Sequence, residues 1–215
     1  MTKRLAILAS LVGVLGCGAG AASRFPDPAL DPAPANAGTQ TAVLAGGCFW
    51  GVEAVFERLN GVSDVVSGYA GGSKSTAHYE IVGSGTTGHA ESVQITYDPS
   101  VISYGRLLKI FFAVAHDPTE VNRQGPDEGT QYRSSIFYTT PEQQSVAEAY
   151  IRQLNAAKVF RKAIATKVVP LEGFYAAETY HQNFLDHHPD YPYIVYNDLP
   201  KIELLKKEYP ELLRR

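Results

Sequence analysis

Residues 41–61 read TAVLAGGCFWGVEAVFERLNG, and the hydrophobic period changes within them. The segment 41–45 is a short continuous apolar run, which is typical of a buried strand, and two glycines follow it. Beyond the glycines, apolar side chains recur at helical spacing, at Val52, Val55, Phe56 and Leu59. The pair Asn60-Gly61 then supplies a helix stop. This pattern predicts a strand that turns directly into a helix.

The turn between the predicted strand and helix carries Cys48. The free N–H groups and the positive dipole end of a helix start stabilise a thiolate, and we expect Gly46 and Gly47 to leave the sulfur uncovered. The alternative is a buried structural cysteine. Phe49 and Trp50 follow at once, and we expect them to line an apolar pocket for a methyl group or a sulfur-containing side chain. The alternative for these two rings is ordinary packing.

Strands and helices are mixed in the rest of the chain without a steady βαβ alternation. The predicted strands are 62–70, 89–97, 135–138 and 163–171, and the predicted helices are 103–115, 140–157 and 174–185. A long polar segment, 117–134, has no periodicity and is predicted to be a binding loop. These elements predict an α+β fold with a mixed or antiparallel sheet.

The strand predicted at 89–97 alternates strictly, and its apolar face contains a carboxylate. Glu91 shares that face with a valine, an isoleucine and a tyrosine. Because burial raises the pKa of a carboxyl group, Glu91 is a candidate general acid, and a salt bridge to an arginine is the alternative. Tyr79 and Tyr132 flank polar segments and are candidates to donate hydrogen bonds to a developing oxyanion. Together with Cys48, these groups suit thiol attack on a polarised S=O or C=O centre.

Residues 1–17 are typical of an export signal. Two basic residues precede an apolar run, 5–15, that is too short for a stable membrane span. Two cleavage patterns fit the sequence. VLGC resembles the lipobox of bacterial lipoproteins and makes Cys17 the lipid-bearing residue, whereas AGA at 19–21 fits ordinary secretory cleavage. We expect an exported protein of the cell envelope or periplasm, anchored to the membrane by a lipid on Cys17.

The chain divides into four predicted segments: a signal peptide at 1–17, a Pro- and Ala-rich tether at 18–40, a catalytic domain at 41–200 and a C-terminal tail at 201–215. The formal net charge over 215 residues is −3, and there is no basic stripe. We therefore expect no nucleic-acid partner, and we expect a monomer.

Cys17 and Cys48 are the only cysteines in the sequence. If Cys17 carries a lipid or is cleaved away, Cys48 has no intramolecular partner, which excludes a structural disulfide. An exported protein with one unpaired thiol is unusual, so the pattern indicates a functional role for Cys48.

Four motifs in order resemble the A-type peptide methionine sulfoxide reductases, which act on the S epimer. They are GGCFWGVE, SGTTGHAESVQITYDP, NRQGPDEGTQYRS and FYAAETYHQNF, and the resemblance runs from about residue 41 to about residue 197. It implies an α+β two-layer sandwich, which we expect to have flanking helices and a ferredoxin-like core. It also implies thiol-dependent reduction of methionine (S)-sulfoxide, free or in proteins, with no metal and no bound cofactor.

The resemblance implies a role for each candidate site residue. Cys48 attacks the sulfoxide sulfur and becomes a sulfenic acid. The ε-methyl group of the substrate is held by Phe49 and Trp50. Glu91 protonates the sulfoxide oxygen. The remaining residues bind that oxygen or frame the site: Tyr79, Tyr132, Asp127 and His181.

Two features depart from the family pattern. Phe184 stands where a tyrosine is common, so a hydroxyl group is missing there. The tail lacks the one or two resolving cysteines that many members carry, so the sulfenic acid closes no internal disulfide unless an unprocessed Cys17 reaches it. We therefore expect an external thiol to reduce the enzyme: a thioredoxin-like protein, a glutaredoxin or a small thiol.

Two other functions fit parts of the sequence. Cys48 and His181 occur in the order that a cysteine hydrolase uses. A non-catalytic methionine-binding module of the cell envelope is the second alternative. The histidines near the end of the domain, His181, His187 and His188, have no common zinc spacing, so we expect no metal site.

Overall fold

The computed structural model describes residues 25–33 and 38–214. The strands of this part of the chain are β1 Gln40–Gly46, β2 Val62–Ala70, β3 Ala90–Tyr97, β4 Arg123–Gln124, β5 Asp127–Glu128, β6 Ser134–Tyr138, β7 Lys167–Pro170 and β8 Phe174–Ala176. The helices are α1 Phe49–Glu57, α2 Tyr79–Val82, α3 Tyr104–Ile110, α4 Pro141–Ala156, α5 Phe184–His187 and α6 Leu199–Glu208.

One curled six-stranded sheet organises the domain, in the order β7-β6-β1-β3-β2-β8. Strands β6 and β7 are parallel, and every other pair of neighbours is antiparallel. Helices flank this sheet, and β4 and β5 form a small separate hairpin. The prediction of an α+β fold with a mixed sheet is therefore confirmed.

The predicted turn from strand to helix lies between β1 and α1. Gly47 has a φ of +92°, a conformation that residues with a Cβ rarely adopt, so the chain reverses there within one residue. The helix then buries its apolar face, with Val52, Val55 and Phe56 at most 1 % exposed. Because β1 is a central strand, this turn places the start of α1 near the middle of one end of the sheet.

The prediction of a helix at 174–185 is wrong. The structure has strand β8, then a short 3-10 turn at Thr179–His181, then the four-residue helix α5. Strand β8 pairs with the edge of β2, and this distant partner satisfies its backbone groups. Asn183, at φ +53°, lies in the left-handed region and separates the 3-10 turn from α5.

The part of the predicted tether at residues 25–33 lies against the domain, and we call it the docked segment. Asp27 forms an ion pair of 2.8 Å with Lys109 on α3. The Tyr150 hydroxyl on α4 donates to a backbone carbonyl of the segment at 2.8 Å. Asp31 accepts hydrogen bonds of 2.5 and 2.9 Å from two groups at the start of α3. The docked segment is therefore held by both helices.

Cys17 and the predicted signal at 1–17 lie outside the described residues. Within the described ranges, no helix combines the length and the apolar character that crossing a membrane requires. Most of the predicted tail belongs to α6, which follows a π-helical stretch at Ile194–Asp198.

Candidate active site

Cys48 lies in a pocket of about 200 Å³ at the start of α1. The residues that line it are Cys48, Phe49, Trp50, Tyr79, Glu91, Asp127, Tyr132, Tyr191 and Tyr193. Seven of these nine are candidate site residues from the sequence, and they come from separate parts of the chain. The eighth candidate within the described residues, His181, lies directly behind the pocket wall against Trp50.

The thiol of Cys48 is more enclosed than the sequence predicts. Cys48 is the N-cap residue of α1, and only 8 % of it is exposed. Burial raises the pKa of the thiol well above its usual range, and the carboxyl groups of Glu91 and Asp198 raise it further when they are ionised. The Trp50 N–H and the charge of Lys201 oppose this rise without reversing it. The expectation that the helix start exposes and ionises Cys48 is therefore wrong for the resting protein, because the thiol is buried and burial raises its pKa.

Glu91 is buried as its strand position predicts. Its side chain lies in the pocket from β3, where the residue is 3 % exposed, and its Oε2 accepts a hydrogen bond of 3.1 Å from the Phe49 N–H. Burial raises the pKa of Glu91 to about 8, and the Phe49 N–H limits the rise. At neutral pH the carboxyl group is therefore mostly protonated and able to donate a proton.

Tyr79 and Tyr132 bring two hydroxyl groups to the same pocket. Tyr79 begins α2, and its N–H donates to Glu178 Oε1 at 3.0 Å, which fixes the start of that helix. Tyr132 ends the 3-10 turn Thr130–Tyr132. Burial is the main cause that raises the pKa of Tyr79 to about 12 and that of Tyr132 above its usual range. Both phenols therefore keep their protons and can act as hydrogen-bond donors.

The Asp127 carboxyl group is hydrogen-bonded to a residue that the sequence patterns did not predict to be in the site. The Tyr193 hydroxyl donates to Asp127 Oδ2, and both side chains line the pocket. Burial raises the pKa of Asp127, while this hydrogen bond lowers it. Tyr191, the other missed lining residue, is 49 % exposed. The tyrosine-rich run at 191–196 is the one sequence signal that pointed to this wall, and its position depends on the return of the chain across α1.

Trp50 forms an aromatic wall with residues from the far end of the domain. Its ring stacks on Phe184 with centroids 3.8 Å apart and planes 8° from parallel. Its Nε1 donates to His181 Nδ1 at 3.2 Å. Tyr191 and Tyr193 contact it edge-on. Phe184 thus supplies a flat packing surface at the position where a hydroxyl group is missing.

The geometry of His181 does not favour a cysteine hydrolase. Its Nδ1 is engaged by the Trp50 indole, which fixes the tautomer that carries the proton on Nε2. Burial lowers the pKa of His181, and its Nε2 has no hydrogen-bond partner among the described residues. A hydrolase needs its histidine bonded to the nucleophile, and here the ring supports the aromatic wall instead. Among the residues 25–33 and 38–214, no group of three or more His, Cys, Asp and Glu side chains could hold a metal ion.

The pocket thus combines a buried thiol, a protonated carboxyl group, two phenol donors and an aromatic wall. Such a site can hold a small group with one apolar and one oxygen-bearing side. The thiol can attack the atom between them while the oxygen accepts hydrogen bonds and a proton.

Comparison with known proteins identifies the family of this chain. Residues 40–212 match the family described as peptide methionine sulfoxide reductase. "Peptide methionine sulfoxide reductase MsrA 2" of Synechocystis is 54 % identical over 88 % of this chain and 90 % of its own length. The protein of the same name from Mesorhizobium japonicum is 57 % identical over 81 % of this chain and 90 % of its own length.

Solved structures give the same result for the fold. Reduced Mxr1 from Saccharomyces cerevisiae superposes with a TM-score of 0.63 at 36 % identity, over 71 % of this chain and 87 % of that chain. Methionine sulfoxide reductase A of Corynebacterium diphtheriae gives 0.62 at 36 % identity, over 72 % of this chain and 77 % of that chain. The chain therefore belongs to the peptide methionine sulfoxide reductases, which are oxidoreductases.

Proposed function

We propose that this enzyme reduces the S epimer of methionine sulfoxide, free or in proteins, and that Cys48 is oxidised to a sulfenic acid in the process. The observation that carries the proposal is the position of Glu91. A carboxyl group with a pKa of about 8 lines the same small pocket as the thiol, where it can deliver a proton to an oxygen.

In the proposed reaction, the Cys48 sulfur attacks the sulfoxide sulfur while its own proton leaves. Glu91 donates a proton to the sulfoxide oxygen, and Tyr79 and Tyr132 donate hydrogen bonds to it as negative charge develops. The attack joins the two sulfur atoms, and the oxygen then moves from the substrate sulfur to the Cys48 sulfur. In this step the sulfur–oxygen bond of the substrate and the new sulfur–sulfur bond both break, and a sulfur–oxygen bond forms on Cys48. The methionine sulfur is reduced by two electrons, and the Cys48 sulfur is oxidised by two.

The aromatic wall explains how the substrate is oriented. Trp50 and Phe49 offer an apolar surface to the methyl group, while the hydroxyl and carboxyl groups lie where they can meet the oxygen. A site with one apolar side and one polar side distinguishes the two configurations at sulfur, because exchanging the two groups places oxygen against the rings. Parallel assays with the two diastereomers of a methionine sulfoxide peptide test this point, and equal rates would contradict the assigned roles.

We propose that an external thiol restores the enzyme. Cys48 is the free cysteine of the described residues, and Cys17 is expected to carry a lipid or to be removed. A thiol of the reductant attacks the sulfenic acid and releases water, and a second thiol then breaks the mixed disulfide. A thioredoxin-like protein, a glutaredoxin or a small thiol supplies this chemistry.

Trapping after one turnover tests both steps. We expect protein treated with methionine sulfoxide without reductant, and then with dimedone, to carry one dimedone adduct on Cys48 by mass spectrometry. The Cys48→Ser variant is the matched control and should carry none. An internal disulfide in the mature protein would contradict resolution by an external thiol, and a covalent acyl group on Cys48 would support a hydrolase. Full biological activity of Cys48→Ser would support a binding module.

We also propose that the enzyme is exported and acts as a monomer of the cell envelope, anchored by a lipid on Cys17. The proposal rests on the VLGC motif and the apolar run before it. Labelling of producing cells with an alkyne fatty acid should modify the wild type and leave Cys17→Ser unlabelled. Labelling of neither protein would favour ordinary secretory cleavage.

A further inference from the structure

A buried ion pair, Asp198 and Lys201, lies at the start of α6, and neither residue lines the pocket. Lys201 Nζ donates to Asp198 Oδ1 at 3.0 Å. Asp198 is fully buried and the Lys201 side chain is 19 % exposed, so both charges have lost most of their water. Because desolvation opposes the attraction, such a pair contributes little to stability. Its position therefore calls for another explanation.

The pair packs against the first turn of α1, the helix that begins directly after Cys48. A Cβ atom placed on Gly51 would overlap Asp198 Oδ1 and would lie 2.8 Å from Lys201 Nζ. Gly51 is the third residue of α1 and Cys48 is its N-cap, and an N-cap side chain lies beside the backbone of the second and third helical residues. Glycine at this position thus allows the pair to approach the side of α1 that carries the thiol. Asp198 Oδ2 has no hydrogen-bond partner among the described residues.

The other groups that face the thiol are acidic or neutral. The acidic groups are Glu91 on β3, Asp127 on β5 and Asp198 at the start of α6. The neutral groups are the phenols Tyr79, Tyr132 and Tyr193. The imidazole of His116 packs against Gly46, two residues before Cys48, and burial lowers its pKa to about 4. Among the described groups that act on Cys48, Lys201 supplies the positive charge.

We propose that Lys201, held by Asp198 against Gly51, is a positioning residue that favours the thiolate of Cys48 at the moment of attack. The inference rests on the proposed attack by Cys48. The buried thiol must lose its proton to react, and a positive charge beside the helix start stabilises the anion that forms. Asp198 has two opposed effects, since it holds Lys201 in place and adds a negative charge of its own.

Alkylation of the thiol tests this inference without any sulfoxide chemistry. The rate of reaction of Cys48 with iodoacetamide is measured from about pH 6 to pH 10, a range that brackets ordinary thiol titration, in the full chain with Cys17→Ser. Lys201→Met should lower the rate near neutral pH by about tenfold, the equivalent of a shift of about one pH unit. Lys201→Arg should restore it.

The chain offers a matched control in the same helix. Lys206 pairs with Glu203 at the same spacing and the same 3.0 Å, but both side chains are more than half exposed. Lys206→Met should therefore leave the alkylation profile unchanged. In the peptide assay, Lys201→Met should lower kcat and leave KM nearly unchanged, because Lys201 does not line the pocket.

A double variant protects the test against misfolding. Asp198→Asn combined with Lys201→Met removes both charges and leaves no unpaired buried ion. Its alkylation should be slower than that of Asp198→Asn alone, since the two proteins differ in Lys201 only. Identical profiles for these two proteins, or identical profiles for Lys201→Met and Lys206→Met, would overturn the inference. Neither result depends on whether sulfoxide is the substrate.

Discussion

Glu91→Gln should make the protein more stable and less active. Burial raises the pKa of Glu91 from 4.5 to about 8 in the native protein, whereas the unfolded chain keeps the ordinary value. Between these two pH values the native state binds more protons than the unfolded state, so stability falls as the pH rises. At pH 7 the gap of ~2.5 pH units corresponds to about 3 kcal/mol that the wild type loses and a neutral glutamine does not.

The same substitution removes the proton that the substrate oxygen requires. General acid catalysis contributes roughly 10²- to 10⁴-fold, so we expect kcat/KM to fall by at least about 10²-fold near neutral pH. The wild-type rate should decline above about pH 8 as Glu91 ionises, and the variant should lack this decline. The glutamine carbonyl can still accept from the Phe49 N–H, so the start of α1 stays intact.

Urea unfolding at about pH 4.5 and at about pH 7.5, on either side of the expected transition, measures the stability effect. The variant should gain stability at the higher pH and little at the lower one. Glu172→Gln, at an exposed position between β7 and β8, is the control and should change neither stability nor rate. A stability difference that is the same at both pH values would refute the assignment of a protonated buried carboxyl, and full activity of Glu91→Gln would refute the general-acid role.

Substitutions at three further positions test other parts of the structure. Phe184→Ala removes the stacking partner of Trp50 and should raise KM about tenfold with little change in kcat, whereas Phe184→Tyr should behave like the wild type. Because Trp50 is the single tryptophan, intrinsic fluorescence should report the first change and not the second. Tyr193→Phe leaves the half-buried Asp127 without its donor and should lower kcat/KM about tenfold in the peptide assay, with unaltered circular dichroism as the check on folding. Asp31→Ala should remove the two contacts of the docked segment with the start of α3 and lower the free energy of unfolding by about 1–2 kcal/mol in urea at unchanged kcat/KM; an unchanged unfolding curve would contradict the contacts described.

Local patterns in the sequence predicted the positions of the thiol and of the buried carboxyl group of the site. The change of period at residues 41–61 located the thiol on a turn from strand to helix, and alternation in β3 located Glu91 on a buried face. Both predictions depend on neighbouring residues alone, and the structure confirms both. Cys17 and the signal peptide lie outside the described residues and stay predictions.

Contacts between distant residues decided what the sequence could not predict. The state of the Cys48 thiol depends on how completely other parts of the chain cover it, and no local pattern encodes that coverage. Strand β8 exists because the edge of β2 is available to it, although its sequence alone suited a helix. Tyr193 and Lys201 lie close to α1 only because the last part of the chain folds back across that helix.

The docked segment has a consequence for the reach of the proposed lipid-anchored enzyme. An extended chain spans at most ~3.5 Å per residue, so residues 18–40 could reach about 80 Å if all were free. With residues 25–33 held on α3 and α4, only residues 18–24 connect Cys17 to the domain, and they span at most about 25 Å. The domain is then confined to a thin layer above the lipid surface, and its protein substrates are those that come within that layer.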